Sequence, residues 1–206
     1  THKSEVGGVV LDLRTPAMVR DAAEAMQRNL AERRPDARFE GFTVQPMVDR
    51  PGAMELILGM YEDPQFGPVI LFGQGGTAAE IIDDTALALP PLNMHLAREV
   101  MTRTRVDALL RGFRGRPAAA IDDVALTLIK LSHLIIDFAD VVELDINPLL
   151  AGAFGVLALD ARIRLRRAEA PAAKRLAIRP YPKDLEETLS LPDGRALRLR
   201  PVLPED

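Results

Sequence analysis

Glu143-Leu144-Asp145-Ile146-Asn147-Pro148 is the stretch on which the reading of this chain turns. On a strand, successive side chains point to opposite faces. Glu143, Asp145 and Asn147 therefore share one face, while Leu144 and Ile146 turn towards a core. Two carboxylates and an amide on one face make a hard-oxygen cluster of the kind that suits Mg²⁺. The plain alternative is a solvated polar face on an edge strand, and alternation by itself leaves both open. Pro148 ends the strand. Residues 141–146 and 154–159 read as the arms of a hairpin, joined by a short connection around Ala151-Gly152. Asp160 follows the second arm, so the hairpin brings it beside Asn147. Three or four oxygen ligands then meet at one corner, where Mg²⁺ can bridge phosphate oxygens.

Outward from this corner, Asp122 or Asp123 opens a helix to about residue 138, with Val124, Leu128, Leu131 and Ile135 on one face. Asn93 caps a helix that runs through Met101, and residues 107–110 form a short one. Residues 54–61 and 68–72 read as strands on either side of a Pro64-Gln65-Phe66-Gly67 turn. Residues 6–13 and 42–48 read as strands as well, and between them Thr15-Pro16 opens a helix from Ala17 to about Arg34. The class is α+β (α/β). Residues 166–182, rich in Ala, Arg and Pro without a period, read as a linker. Beyond it, residues 189–199 form a small hairpin that turns at Asp193-Gly194. Two strands alone are marginal, so this hairpin is expected to begin a further domain.

The 206 residues suffice for one large domain or two small ones, and 48% apolar with 27% charged residues is the balance of a soluble globular protein. A net charge of -4 is too mild for a nucleic-acid binder. The absence of cysteine excludes a disulfide scaffold, a thiolate zinc site and a cysteine nucleophile. The longest apolar run, residues 126–138, is interrupted by Lys130, Ser132, His133 and Asp137, and a bilayer span needs about 18 residues. No signal peptide is evident, so a cytoplasmic protein without membrane contact is expected. The start at Thr1-His2-Lys3-Ser4 and the end at Pro204-Glu205-Asp206 read as cuts within a longer protein.

Two further features bear on chemistry. Gly73-Gln74-Gly75-Gly76 lets a backbone approach phosphate and turn N–H groups towards it. It lacks the Gly-Lys-Ser/Thr of a P-loop and the spacing of a dinucleotide fingerprint, and a plain β-turn is the competing reading. Glu80, just beyond, is either a supporting carboxylate or a solvated strand residue. His2, beside Lys3, is of a type that can carry a phosphoryl group, though a terminal histidine is more often a bystander. His95 and His133 have no assigned role, and the three histidines lack metal-ligand spacing. The basic loop of residues 111–116 meets phosphate or is simply solvated.

Read together, Thr1-His2-Lys3-Ser4-Glu5-Val6-Gly7-Gly8-Val9, Phe72-Gly73-Gln74-Gly75-Gly76, Leu110-Arg111-Gly112-Phe113-Arg114-Gly115, Glu143-Leu144-Asp145-Ile146-Asn147-Pro148 and Leu159-Asp160-Ala161-Arg162 come in a familiar order. The chain resembles the ATP-grasp, β-subunit-like part of NDP-forming acyl-CoA synthetases, in the superfamily of the succinyl-CoA synthetase β subunit, over roughly residues 1–165. The stretch from Leu191-Pro192-Asp193-Gly194-Arg195 to Pro204-Glu205-Asp206 resembles the first strands of a GNAT-type N-acetyltransferase.

The resemblance implies two lobes of mixed β-sheet with flanking helices. The small lobe would take residues 1–61 and the large lobe 62–165, followed by a linker over 166–185 and the start of an acetyltransferase domain at 186–206. It implies an enzyme that makes acyl-CoA from acid, CoA and ATP through a phosphohistidine, with ATP/ADP, Mg²⁺ and CoA as its small molecules. Asn147 and Asp160 match the family's magnesium ligands, Asp145 takes the acidic position two before the Asn, and Glu143 supports them. His2 matches a phosphoryl-handling histidine. Lys3, Glu55, Gly75, Gly76 and Glu80 fall on the nucleotide side. The expected partners are upstream CoA-binding and CoA-ligase domains of the same protein, the acetyltransferase domain, and a second copy of the chain through an unpaired sheet edge. The family's upstream ATP-binding lysine is not in this sequence, so residues 1–206 alone are expected to be inactive. The alternative role is a ligand-sensing regulatory domain for the acetyltransferase.

Overall fold

The computed structural model describes residues 7–76, 82–168, 171–178 and 185–202. The chain divides into two compact units, Thr1–Asp49 and Arg50–Asp206. The first holds one helix, α1 (Pro16–Arg33). Thr15 caps it, its Oγ1 accepting from the Met18 N–H at 3.2 Å, and Pro16 takes the first turn, where its missing N–H costs nothing. None of the residues of α1 is buried. The strands expected over 6–13 and 42–48 do not form among the described residues: 7–13 and 42–48 are irregular, and Val9, Leu11, Phe42, Val44 and Met47 stay exposed. A strand exists only when another strand takes up its alternate N–H and C=O groups, and no described residue pairs with either stretch.

The second unit is built on one sheet of β1 (Met54–Asp63), β2 (Gly67–Gln74), β3 (Thr85–Ala88), β4 (Val141–Gly152), β5 (Gly155–Ala158) and β6 (Ala161–Leu165). The order is β3-β2-β1-β4, with β5 and β6 lying end to end along the far edge of β4, and every one of these pairings is antiparallel. Residues 61 and 62, the expected boundary between lobes, both lie within β1.

Alternation in β1 sends Leu56, Leu58 and Met60 to one face, where their cross-strand partners Phe72, Ile70, Leu144 and Leu149 join them. Helix α2 (Met94–Thr102) and helix α4 (Ile121–Asp137) cover this face with Ala97, Val100, Met101, Val124, Leu128, Leu131 and Ile135. Asn93 caps α2 as expected, accepting from the Leu96 N–H at 2.9 Å. Asp122 and Asp123 sit in the first turn of α4, where the positive end of the helix favours them. Short helix α3 (Val106–Leu110) is held by Asp84, whose buried carboxylate accepts from the N–H groups of Arg105 and Val106, both at 2.8 Å. The opposite face of the sheet carries Glu55, Gly59, Tyr61, Glu143 and Asp145.

The stretch expected as a linker is partly docked. Residues Ala172–Arg175 form a 3₁₀ turn, and Leu176 is 3% exposed. The Arg175 guanidinium donates to the carbonyls of Val141 (2.7 Å), Ile135 (2.7 Å) and Phe138 (3.0 Å). It thereby satisfies orphan carbonyls at the end of α4. Burial pulls this guanidinium below its ordinary range, while Glu62 at 3.8 Å favours its charge. Gly67 fits because a Cβ there would lie 1.9 Å from the Arg175 carbonyl oxygen. The expected terminal hairpin is present as β7 (Glu187–Ser190) and β8 (Ala196–Leu199), closed by the Gly194 N–H on the Leu191 carbonyl at 3.0 Å. No described helix is long and apolar enough to cross a membrane.

Candidate metal and nucleotide corner

The corner forms where β4 loses its register. Between Leu56 and Leu58 of β1 the partners on β4 jump from Leu149 to Ile146, so β4 bulges at Asn147-Pro148, whose peptide bond is cis. A bulge inverts the faces beyond it. Leu144 faces the core before it, and Leu149 and Ala151 face the core after it. Proline suits the bulge because it has no N–H to offer a ladder, while its carbonyl accepts from the Leu159 N–H at 3.0 Å. The partner edge breaks at the same level: β5 pairs with residues 149–152 and β6 with residues 141–146. Leu159-Asp160 fills the gap opposite Asn147-Pro148. Asp160 thus falls opposite Asn147 as expected, but the arms differ from the expected ones: β4 runs on through Ala151-Gly152, and residues 141–146 pair with β6 rather than with residues 154–159.

Charge gathers here. Asp145 is the Cα partner of Arg162. Burial raises the Asp145 carboxyl above its ordinary range, Arg162 opposes that, and the charges of Asp160 and Glu143 add to the rise. Arg162 also lies 3.8 Å from Asp160, so the charge of one guanidinium acts on both carboxylates. Glu143 pairs with Arg164 at 2.7 Å. No group of three or more His, Cys, Asp or Glu side chains among the described residues is arranged to hold a metal. Asp145, Asp160 and the amide oxygen of Asn147 are hard-oxygen donors, the type that Mg²⁺ takes when one or two carboxylates are joined by water and phosphate. Sequence reasoning left Arg162 without a role; its signal is its place two residues after Asp160.

The glycine turn joins the corner in an unexpected way. The Gly76 N–H donates to Asn147 Oδ1 at 3.0 Å, the Gly75 N–H to the Glu55 carbonyl at 2.8 Å, and the Gln74 N–H to the Asp84 carbonyl at 3.0 Å. Three successive amides thus donate within the protein. A Cβ on Gly75 would lie 2.4 Å from the Leu56 carbonyl, and one on Gly76 (φ +85°) would lie 2.0 Å from Glu55 Oε2. Glu55, Gly75, Gly76 and Asn147 are therefore neighbours.

His2, Lys3 and Glu80 lie outside the described residues. His95 and His133 are exposed on α2 and α4. In the basic loop Arg111 is held by Asp107 at 2.8 and 3.2 Å, and Arg114 stacks over the Phe113 ring at 5.1 Å.

Comparison with known proteins adds a family. A model of the ATP-grasp domain matches residues 1–165. The chain is 40% identical over 164 residues to acetate–CoA ligase [ADP-forming] I of Archaeoglobus fulgidus, covering 80% of this chain and 24% of that protein. It is 36% identical over 168 residues to the β subunit of acetate–CoA ligase [ADP-forming] II of Pyrococcus furiosus, covering 80% of this chain and 70% of that subunit. Among solved structures it is similar to dinucleotide forming acetyl-coenzyme A synthetase 1 of Ca. Korarchaeum cryptofilum in complex with coenzyme A and Mg-AMPPCP, whose phosphohistidine segment points towards the nucleotide binding site. That match has a TM-score of 0.69 and 33% identity, and covers 81% of this chain and 71% of that one. The same protein with coenzyme A, Ca-AMPCP and HgCl⁺ gives a TM-score of 0.75 and 37% identity, covering 80% of this chain and 71% of that one.

Proposed function

Because this chain belongs to the ATP-grasp domain family, in the form carried by β subunits of ADP-forming acetate–CoA ligases, we propose that it supplies the nucleotide and Mg²⁺ side of an ADP-forming acyl-CoA synthetase. The reaction converts acid, CoA and ATP to acyl-CoA, ADP and phosphate, with a histidine of the whole protein carrying the phosphoryl group between centres. The chain spans about a quarter of the length of the Archaeoglobus relative, so the CoA-binding and CoA-ligase steps fall to other parts of the protein.

The observation that carries the reading is the placement of Asp160 opposite Asn147 at the β4 bulge, with Asp145 on the same strand. Asn147, Asp160 and Asp145 would hold Mg²⁺, which when bound neutralises charge on the β- and γ-phosphates. Arg162 balances the two carboxylates until the cation arrives. Glu55, beside the glycine turn, bounds the nucleotide side of the corner. Lys3 and Glu80 as nucleotide contacts and His2 as phosphoryl carrier rest on the sequence resemblance. So does an acetyltransferase module beginning near residue 186, for which the β7–β8 hairpin supplies a compatible first element.

The test is ATP consumption by the whole protein, dependent on acid, CoA and Mg²⁺. Asp160→Ala removes charge stabilisation worth several kcal/mol, so kcat falls about 100-fold or more. Turnover indifferent to Asp160→Ala, or no turnover in the intact protein, overturns the proposal. Acetyl transfer from acetyl-CoA to a lysine peptide, lost on deletion beyond residue 186, tests the tail.

A further inference from the structure

Gly76 has a role that its neighbours define better than its residue type does. It sits 71 positions before Asn147 in sequence, yet its N–H donates to Asn147 Oδ1 at 3.0 Å in a part-buried setting. An amide side chain presents an oxygen on one side and an NH₂ on the other, and the partner decides which. A backbone N–H can donate only to the oxygen, so Gly76 fixes the amide orientation of Asn147. The carbonyl oxygen keeps a second lone pair free for a cation. The turn that aims this N–H is held in turn by the Gly75 N–H on the Glu55 carbonyl at 2.8 Å.

The backbone is the main reason that glycine is favoured at this place, since the nearby Glu55 carboxylate is the mobile end of an exposed side chain. The backbone lies at φ +85°, where an L side chain is strained. A Cβ would also fall 2.0 Å from Glu55 Oε2 and 3.2 Å from its Cδ. Adding one methyl group therefore moves the Gly76 N–H, the Glu55 carboxylate, or both.

We propose that Gly76 is a positioning residue for the cation site: its N–H locks the Asn147 amide with the oxygen turned to the metal, and Glu55 and Gly75 hold the turn that makes the lock. This rests on the assignment of Asn147, Asp145 and Asp160 to Mg²⁺. It also gives the glycine turn a function besides any cradling of phosphate, with the N–H groups of residues 74–76 all donating inside the protein.

The experiment is a Mn²⁺ titration of the full chain followed by water-proton relaxation, together with amide NMR. Partners that orient a metal ligand typically contribute 10- to 100-fold to affinity. Gly76→Ala is expected to weaken Mn²⁺ binding about tenfold, and Asn147→Ala at least as much. The double variant is expected to be no weaker than Asn147→Ala, because the two residues act as one unit. Gly115→Ala, at φ +83° with open space around its Cβ, controls for backbone strain elsewhere and should leave the affinity unchanged. In Asn147→Ala the Gly76 amide proton should move upfield and exchange faster, a signature that holds even if Gly76→Ala folds poorly.

Wild-type chain that binds no Mn²⁺ overturns the metal assignment and this proposal with it. Mn²⁺ binding that Asn147→Ala weakens and Gly76→Ala leaves intact overturns the positioning role alone. So does a Gly76 amide indifferent to Asn147→Ala, or a double variant whose losses simply add.

Discussion

Phe42-Thr43-Val44-Gln45-Pro46-Met47-Val48 and Met54-Glu55-Leu56-Ile57-Leu58-Gly59-Met60 stand close in the chain and have similar apolar content. The second becomes β1, with β2 on one side and β4 on the other, and Leu58 is 0% exposed. The first forms no ladder among the described residues, and Val44 is 71% exposed. Composition made both look like strands. Partners decided which one is, because the hydrogen bonds of a strand are never its own.

The largest effect expected from this contrast is in side-chain truncation. Leu58→Ala removes a fully buried side chain between Phe72 and Ile146 and should cost about 3–5 kcal/mol. Val44→Ala should change stability by less than about 0.5 kcal/mol. Urea unfolding of both variants, with midpoint and slope fitted separately, checks the pair. A cost above about 1 kcal/mol at Val44 would break the comparison, by showing that this stretch is buried in solution.

Arg175 extends the contrast to a segment that composition assigned to a linker. Its side chain is 13% exposed, and its three carbonyl acceptors belong to the end of α4 and the start of β4. Arg175→Met keeps most of the stem and removes the donors. It should cost about 2–3 kcal/mol, the range for hydrogen bonds to a charged group with buried partners. The unfolding midpoint measures it. A neutral result would return residues 171–176 to the status of linker and place the end of the folded body near residue 165, where the family match also ends.

How far the sequence could be read follows the range of the signals. β1, β2, α2 and α4 announce themselves through period and caps, which are local. β3 and β6 escaped because they are only 4 and 5 residues long and β6 is exposed throughout, leaving little alternation to see. At the corner, Asn147 and Asp160 were legible because one hairpin relates them. The Gly76 bond to Asn147 was not, since it joins residues 71 apart and no local pattern encodes it. Arg175 was hidden for the same reason: an arginine among Ala and Pro looks solvated until three carbonyls happen to converge on it.

Helix starts offer the finest version of the comparison, since each unit has at least one held by a side-chain oxygen. Asp84 is buried and serves two N–H groups at the start of α3, whereas Thr15 is exposed and serves one at the start of α1. Asp84→Ala strands two donors where water is scarce and should cost about 2 kcal/mol by urea unfolding. Thr15→Ala exposes one donor that water can satisfy, so its cost should be about 1 kcal/mol or less. That loss should appear as faster amide exchange over the first turn of α1. If Thr15→Ala proved as costly as Asp84→Ala, the N-terminal unit would be burying its helix start in solution, and the contrast between the two units would shrink to their strands alone.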